Sequence, residues 1–154
     1  MPGRQLFQEG NIMPDPLHHT RIMAAVAALI AEVENDGRPP LCIAVCDAAG
    51  GLLHYTRTAG AARRGTAIAK AKAYTAALLE TPTSALHARL ERERLTLADF
   101  CDAGLTSLAG GVPLTLNSRT LSGVGISGRR PDEDELLASR LAAALLRENT
   151  HTPA

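Results

Sequence analysis

The sequence predicts one α+β domain: a mostly antiparallel sheet of about five strands flanked by helices. Three observations predict it. At 154 residues the chain has the length of a single domain, and a chain of that size buries about 70% of its unfolded surface without staples. Apolar residues recur at helical spacing near both ends of the chain. Between them lie short apolar runs joined by tight turns, and such hairpin connections make neighbouring strands antiparallel.

The elements follow in order. Residues 1–16 carry glycines and prolines without sustained periodicity and read as an N-terminal arm. The domain proper is expected over 17–147 and a flexible tail over 148–154. A helix is expected from Leu17, with Ile22, Val26, Leu29, Ile30 and Val33 on one stripe and Asn35-Asp36-Gly37 as its stop. Pro39-Pro40 forces an extended entry. Leu41–Cys46 is almost continuously apolar, as a buried strand is. Asp47–Gly51 is turn chemistry, and Leu52–Arg57 pairs back.

Thr66–Glu80 is an Ala-rich helix whose small residues permit close packing, and Pro82 follows its end. Ser84–Arg94 reads as a charged surface helix, Thr96–Asp99 as a short capped start, and 104–109 as a linking strand or loop. Val112–Leu116, the turn Asn117-Ser118-Arg119 and Leu121–Ser127 form a hairpin. Gly123 and Gly125 sit inside its second strand, where glycine marks close approach by a backbone or a ligand. A last helix spans Asp132–Arg147. Its acids cluster at the N-terminus, where the macrodipole favours them.

Composition excludes several functions. Sixteen basic residues balance sixteen acidic ones, against the basic excess that nucleic-acid grooves and membrane-surface patches require. Four aromatic side chains, Phe7, Tyr55, Tyr74 and Phe100, and no Trp leave few platforms for stacking bases. The arginine pairs at 63–64 and 129–130 read as solvated ends or interface contacts. The three cysteines are an odd number without a C-x-x-C spacing. Cys42 and Cys46 lie ~13 Å apart along one strand and cannot pair. Free thiols and no apolar leader segment fit a cytoplasmic protein. The longest apolar run, Met23–Ala31, is too short to span a bilayer.

The run GGVPLTLNSRTLSGVGISGRRPDEDE resembles the signature of the GlcG/HbpS-like family, whose members are called haem-binding or haem-degrading proteins. That pattern joins a Gly-Gly-x-Pro strand, a short turn, a Gly-rich strand ending in Val-Ser-Gly, and an Asp-Glu pair opening the last helix, here Asp134 and Glu135. Ile43-Ala44-Val45-Cys46-Asp47, Gly50, Arg57, Lys72–Ala77 and Thr81-Pro82-Thr83 extend the likeness over about Leu17 to Leu146. The resemblance implies a profilin-like fold, assembly into a homo-oligomer, and haem or a related tetrapyrrole as ligand. One departure stands out: the family's acid two positions after the arginine is replaced by Ala59.

The candidate residues divide by chemistry. His18 and His19 are candidate iron ligands, since a neutral imidazole binds haem iron. Adjacent helical residues point about 100° apart, so one of the two at most faces a shared pocket. His54 faces either a pocket or solvent, with solvent preferred. Arg57 and Lys72 form an expected clamp for a carboxylate or propionate, with backbone near Gly128 as a second anchor. A structural ion pair of Lys72 with Asp134 or Glu135 is the competing reading. Two further functions stay open beside small-molecule binding. One is a cofactor-independent isomerase or tautomerase acting on a small carboxylated metabolite, with Lys72 as acid or base, Arg57 as anchor and Glu135 as orienting group. The other is an accessory subunit acting through its oligomer interface.

Overall fold

The computed structural model describes residues 15–147. The expected arm, apart from its last two residues, and the expected tail lie outside them. The element order is α1 (His19–Val33), β1 (Cys42–Asp47), β2 (Leu52–Arg57), α2 (Gly65–Leu79), α3 (Thr83–Glu93), a 3₁₀ turn (Leu97–Phe100), β3 (Gly111–Leu116), β4 (Arg119–Ser127) and α4 (Pro131–Leu146). The fold class is as expected. The strand count is corrected: among the described residues the sheet has four strands, ordered β2-β1-β4-β3, every pair antiparallel. The stretch 104–109 does not join it. Its backbone bonds locally and to α2 instead, with Leu105 N–H donating to Asp102 O and Thr106 N–H donating to Thr75 Oγ1.

Local chemistry accounts for the turns. Asp47 Oδ1 accepts from the N–H groups of Ala49 (2.9 Å) and Gly51 (2.8 Å), and Gly50 takes φ +84°. Asn117 and Ser118 both adopt positive φ, 51° and 61°, as a two-residue hairpin of matching twist requires. The expected turn residue Arg119 is therefore the first residue of β4. Thr96 and Asp99 cap the 3₁₀ turn reciprocally, Asp99 Oδ2 accepting from Thr96 N–H at 2.7 Å.

The sheet has two unlike faces. On one, Ile43 and Val45 of β1, Val112 and Leu114 of β3, and Val124 and Ile126 of β4 join the buried stripes of α1 (Ile22, Val26, Leu29, Val33) and α4 (Leu137, Leu141, Leu145). Each such side chain removed from water contributes about 1.5–3 kcal/mol. On the other, Cys42, Ala44 and Cys46 meet Ala69, Ala73 and Ala77 of α2.

The glycines belong to this second face. A Cβ on Gly123 would lie 2.0 Å from Ala73 O, on Gly125 2.1 Å from Ala69 O, and on Gly111 2.3 Å from Lys72 O. Gly125 is paired with Ala44 on one side and Gly111 on the other. The close approach predicted from the strand glycines is thus that of the α2 backbone, not of a ligand.

Candidate functional site

Two lysines of α2 separate by helix geometry. Lys70 and Lys72 lie two residues apart, roughly 200° around the helix. Lys72 points down at the sheet and is 3% exposed; Lys70 is exposed. Their surroundings define two cavities.

The larger is a cleft of about 690 Å³ between β2 and α2. Arg57 at the end of β2, Arg63 in the loop before α2 and Lys70 on α2 line it, and no acidic residue does. Its walls include Leu52, Ala67, Ala71 and the Tyr74 ring. Arg57 and Arg63 have no carboxylate partner among the described residues, and Lys70 has only the Tyr55 ring, 5.8 Å from its ammonium. Tyr55 OH and Thr66 Oγ1 hydrogen-bond at 2.6 Å, joining β2 to the start of α2. Tyr74 OH donates to Asp102 Oδ2 at 2.8 Å, and that bond holds the phenol protonated above its usual range. Burial pushes the Cys46 thiol up to about 11, so it stays neutral. Three cations without a carboxylate partner and a largely apolar lining give this cleft the charge and size to accept an anionic ligand.

The smaller cavity, about 240 Å³, holds Lys72. Its Nζ donates to Ile126 O at 2.8 Å and to Asp134 Oδ2 at 3.1 Å. Asp134 Oδ1 accepts from Arg129 N–H at 3.0 Å. Burial is the largest influence on both partners. It lowers the Lys72 pKa and raises that of Asp134, and their mutual attraction opposes it. The structural ion pair is therefore formed, and with Asp134. Glu135 instead accepts from Ser84 Oγ, tying α4 to α3, and it lines neither cavity. Gly128 lines the smaller cavity at φ +132°, where a Cβ would lie 2.2 Å from Pro40 O.

The expected Arg57–Lys72 clamp is not assembled within the chain: Arg57 lines the cleft and Lys72 the smaller cavity. The isomerase constellation separates likewise: Lys72 and Arg57 line different cavities, and Glu135 lines neither of them.

The histidines lie elsewhere again. His18 and His19 are exposed at the start of α1. The ring of His19 lies 6.3 Å from that of His54, tilted by 55°. His54 is half-buried, not solvated as preferred from the sequence, and its Nε2 hydrogen-bonds Thr56 Oγ1 at 2.7 Å. Burial, then the neighbouring His19, lowers its pKa. His54 pairs with Val45, whose side chain faces α1 and α4, whereas Arg57 pairs with Cys42, which faces α2. The histidines and the cationic cleft thus occupy opposite faces of β2. The described residues contain no group of three or more His, Cys, Asp or Glu able to hold a metal ion. No helix among them is long and apolar enough to cross a membrane.

Sequence reasoning missed Arg63 and Lys70. No local pattern marks them as partners, since Arg63 lies in the turn before α2 and Lys70 on the helix itself. Arg129, expected as a solvated end or an interface contact, has a side chain 3% exposed and pairs with Asp36 at 2.8 Å.

Comparison with known proteins agrees with this architecture. A comparison with curated proteins gave no match. Among solved structures, HbpS is 33% identical, covering 96% of this chain and 99% of its own at a TM-score of 0.74. A double mutant of Streptomyces reticuli HbpS is 32% identical over 96% of this chain and 95% of its own, TM-score 0.75. A PduOC complex with haem shares the fold at 22% identity, covering 86% of this chain and 94% of its own, TM-score 0.69. The family model described as haem degrading protein HbpS-like matches residues 17–143. The chain belongs to the HbpS-like family.

Proposed function

We propose that this protein binds haem or a related tetrapyrrole, and that the ligand's carboxylates dock on Arg57, Arg63 and Lys70. The observation that carries this reading is the convergence of three cations without acidic partners on one apolar-floored cleft. Propionates fit that donor set, because guanidinium groups bind carboxylates in bidentate fashion. The volume, about 690 Å³, falls within the range of small-molecule sites. Membership of a family described as haem-degrading supports the ligand class. Histidine as the iron ligand fits less well, since no histidine lines the cleft. The ligand's carboxylates, rather than its iron, are the handle.

The test is a titration with haem and with iron-free protoporphyrin, followed by absorbance near the Soret region. Both should saturate. An Arg57→Ala, Arg63→Ala, Lys70→Ala triple variant should weaken both by about 100-fold or more, since each charge-assisted bond contributes roughly 1.5–3 kcal/mol. A His18→Ala, His19→Ala variant should bind protoporphyrin as the parent does. Binding of haem but not protoporphyrin, lost with the histidines and kept by the triple variant, would move the site to the other face of β2. A flat titration with both would remove the tetrapyrrole.

A further inference from the structure

The smaller cavity is a separate chemical environment, and its internal hydrogen bonds leave an imbalance. Asp134 uses both oxygens inside the protein, Oδ1 for Arg129 N–H (3.0 Å) and Oδ2 for Lys72 (3.1 Å). Lys72 carries three N–H donors. Two are taken by Asp134 and by Ile126 O (2.8 Å), and the third has no acceptor among the described residues. Arg64, exposed on the rim, has no acidic partner among them either. Arg129 is already committed, to both oxygens of Asp36 and to Pro39 O. The uncommitted charged groups are therefore donors, one buried and one at the rim. The starts of α2 and α4, at Gly65 and Pro131, add partial positive charge beside them. The remaining lining is mostly apolar and includes Ile68, Leu108 and Cys42, and the Ser127 hydroxyl is spent on Gly65 O.

Size narrows the occupant. The volume, about 240 Å³, lies below that of drug-sized sites and equals roughly eight water volumes of about 30 Å³ each. A macrocycle is excluded. A second carboxylate would meet Asp134 without a cation of its own.

We propose that this cavity binds a small monocarboxylate with a short apolar tail, its carboxylate held between the free N–H of Lys72 and Arg64 and its tail against Ile68 and Leu108. The site is independent of the cleft: no cation of one lines the other.

Calorimetric titration with sodium butyrate, butyramide and n-butylamine tests the assignment. Butyrate should bind saturably at one per chain, and the neutral and cationic analogues at least about tenfold more weakly. Arg64→Ala should weaken butyrate by about tenfold, and Ala62→Trp, which fills the mouth, should abolish binding. Both positions are exposed, so thermal unfolding should match the parent. Protoporphyrin titration of Arg64→Ala should also match the parent, which separates failure of this site from failure of the cleft. No saturable heat with butyrate overturns the proposal, as does equal binding of butyramide. Loss of butyrate in Arg57→Ala also overturns it, because it places the carboxylate in the cleft.

Discussion

The two faces of the sheet solve the same packing problem by opposite means. Toward α1 and α4, the sheet presents Ile43, Val45, Val124 and Ile126, and stability comes from the volume of buried side chains. Toward α2, it presents Ala44, Gly111, Gly123 and Gly125, and the helix backbone descends onto the strands. A face built from large side chains separates sheet and helix and leaves no room for polar groups. A face built from glycine brings the helix down until the Lys72 ammonium reaches the carbonyl of Ile126 at the sheet. Both cavities lie on this second face. Close approach draws polar backbone and side chains into contact, and the end of β2, the loop before α2 and the outer side of α2 supply the free cations.

The largest test of this contrast is to add one carbon to the glycine face and remove one from the other. Gly125→Ala should cost roughly 4 kcal/mol or more, because the new methyl collides with backbone that cannot yield. Ile126→Val, one residue away on the apolar face, should cost only about 1 kcal/mol. Urea unfolding of both variants checks the pair. Equal losses would show that α2 moves freely away from the sheet.

Next is the buried pair. Lys72→Met should cost about 3 kcal/mol by leaving Asp134 buried without its partner, and a Lys72→Met, Asp134→Leu double variant should recover much of that loss. The penalty should shrink on acidification. Burial holds the Asp134 pKa above 3.8 in the folded state. The folded state of the single variant therefore takes up a proton at higher pH than the unfolded chain, and its relative stability rises as pH falls toward 3.8. A penalty independent of pH would show that Asp134 has found another cation.

The smallest effect lies on the opposite face. His54 has a folded pKa below 6.5, so the unfolded chain protonates first as pH falls. Stability contributed by neutral His54 is present above pH 6.5 and is lost as pH falls through the window beneath it. His54→Gln should remove this slope, and His19→Ala should flatten it in part by deleting a neighbouring positive charge. Chemical denaturation between pH 5 and 7 reads the slope, which should be shallow because the ring is only half-buried.

Much of the fold was legible because its signals are local. The stripe Ile22, Val26, Leu29 and Val33 places α1, the Asp47 turn joins β1 to β2, and Asn117-Ser118 closes the β3–β4 hairpin. The strand count was less legible. Residues 104–109 read as a linking strand or a loop, and they form a loop because Thr75 of α2 takes the N–H of Thr106. At the sites, the Lys72 ion pair was one of two readings, with its partner left between Asp134 and Glu135. One position around α4 decides it: Asp134 is buried against Lys72 while Glu135 turns toward Ser84.

Periodicity, turn chemistry and glycine placement are properties of neighbouring residues, so they are written along the chain. They suffice for the element order, the antiparallel pairing and the need for something close to Gly123 and Gly125. The meeting of Arg57, Arg63 and Lys70, a strand end, a loop and a helix, depends on how far α2 descends and how it is turned. So does the separation of Arg57 from Lys72. Distance across the sheet is set by the glycines of β3 and β4, more than forty residues later in the chain than α2's first turn. No local pattern records where those two segments meet.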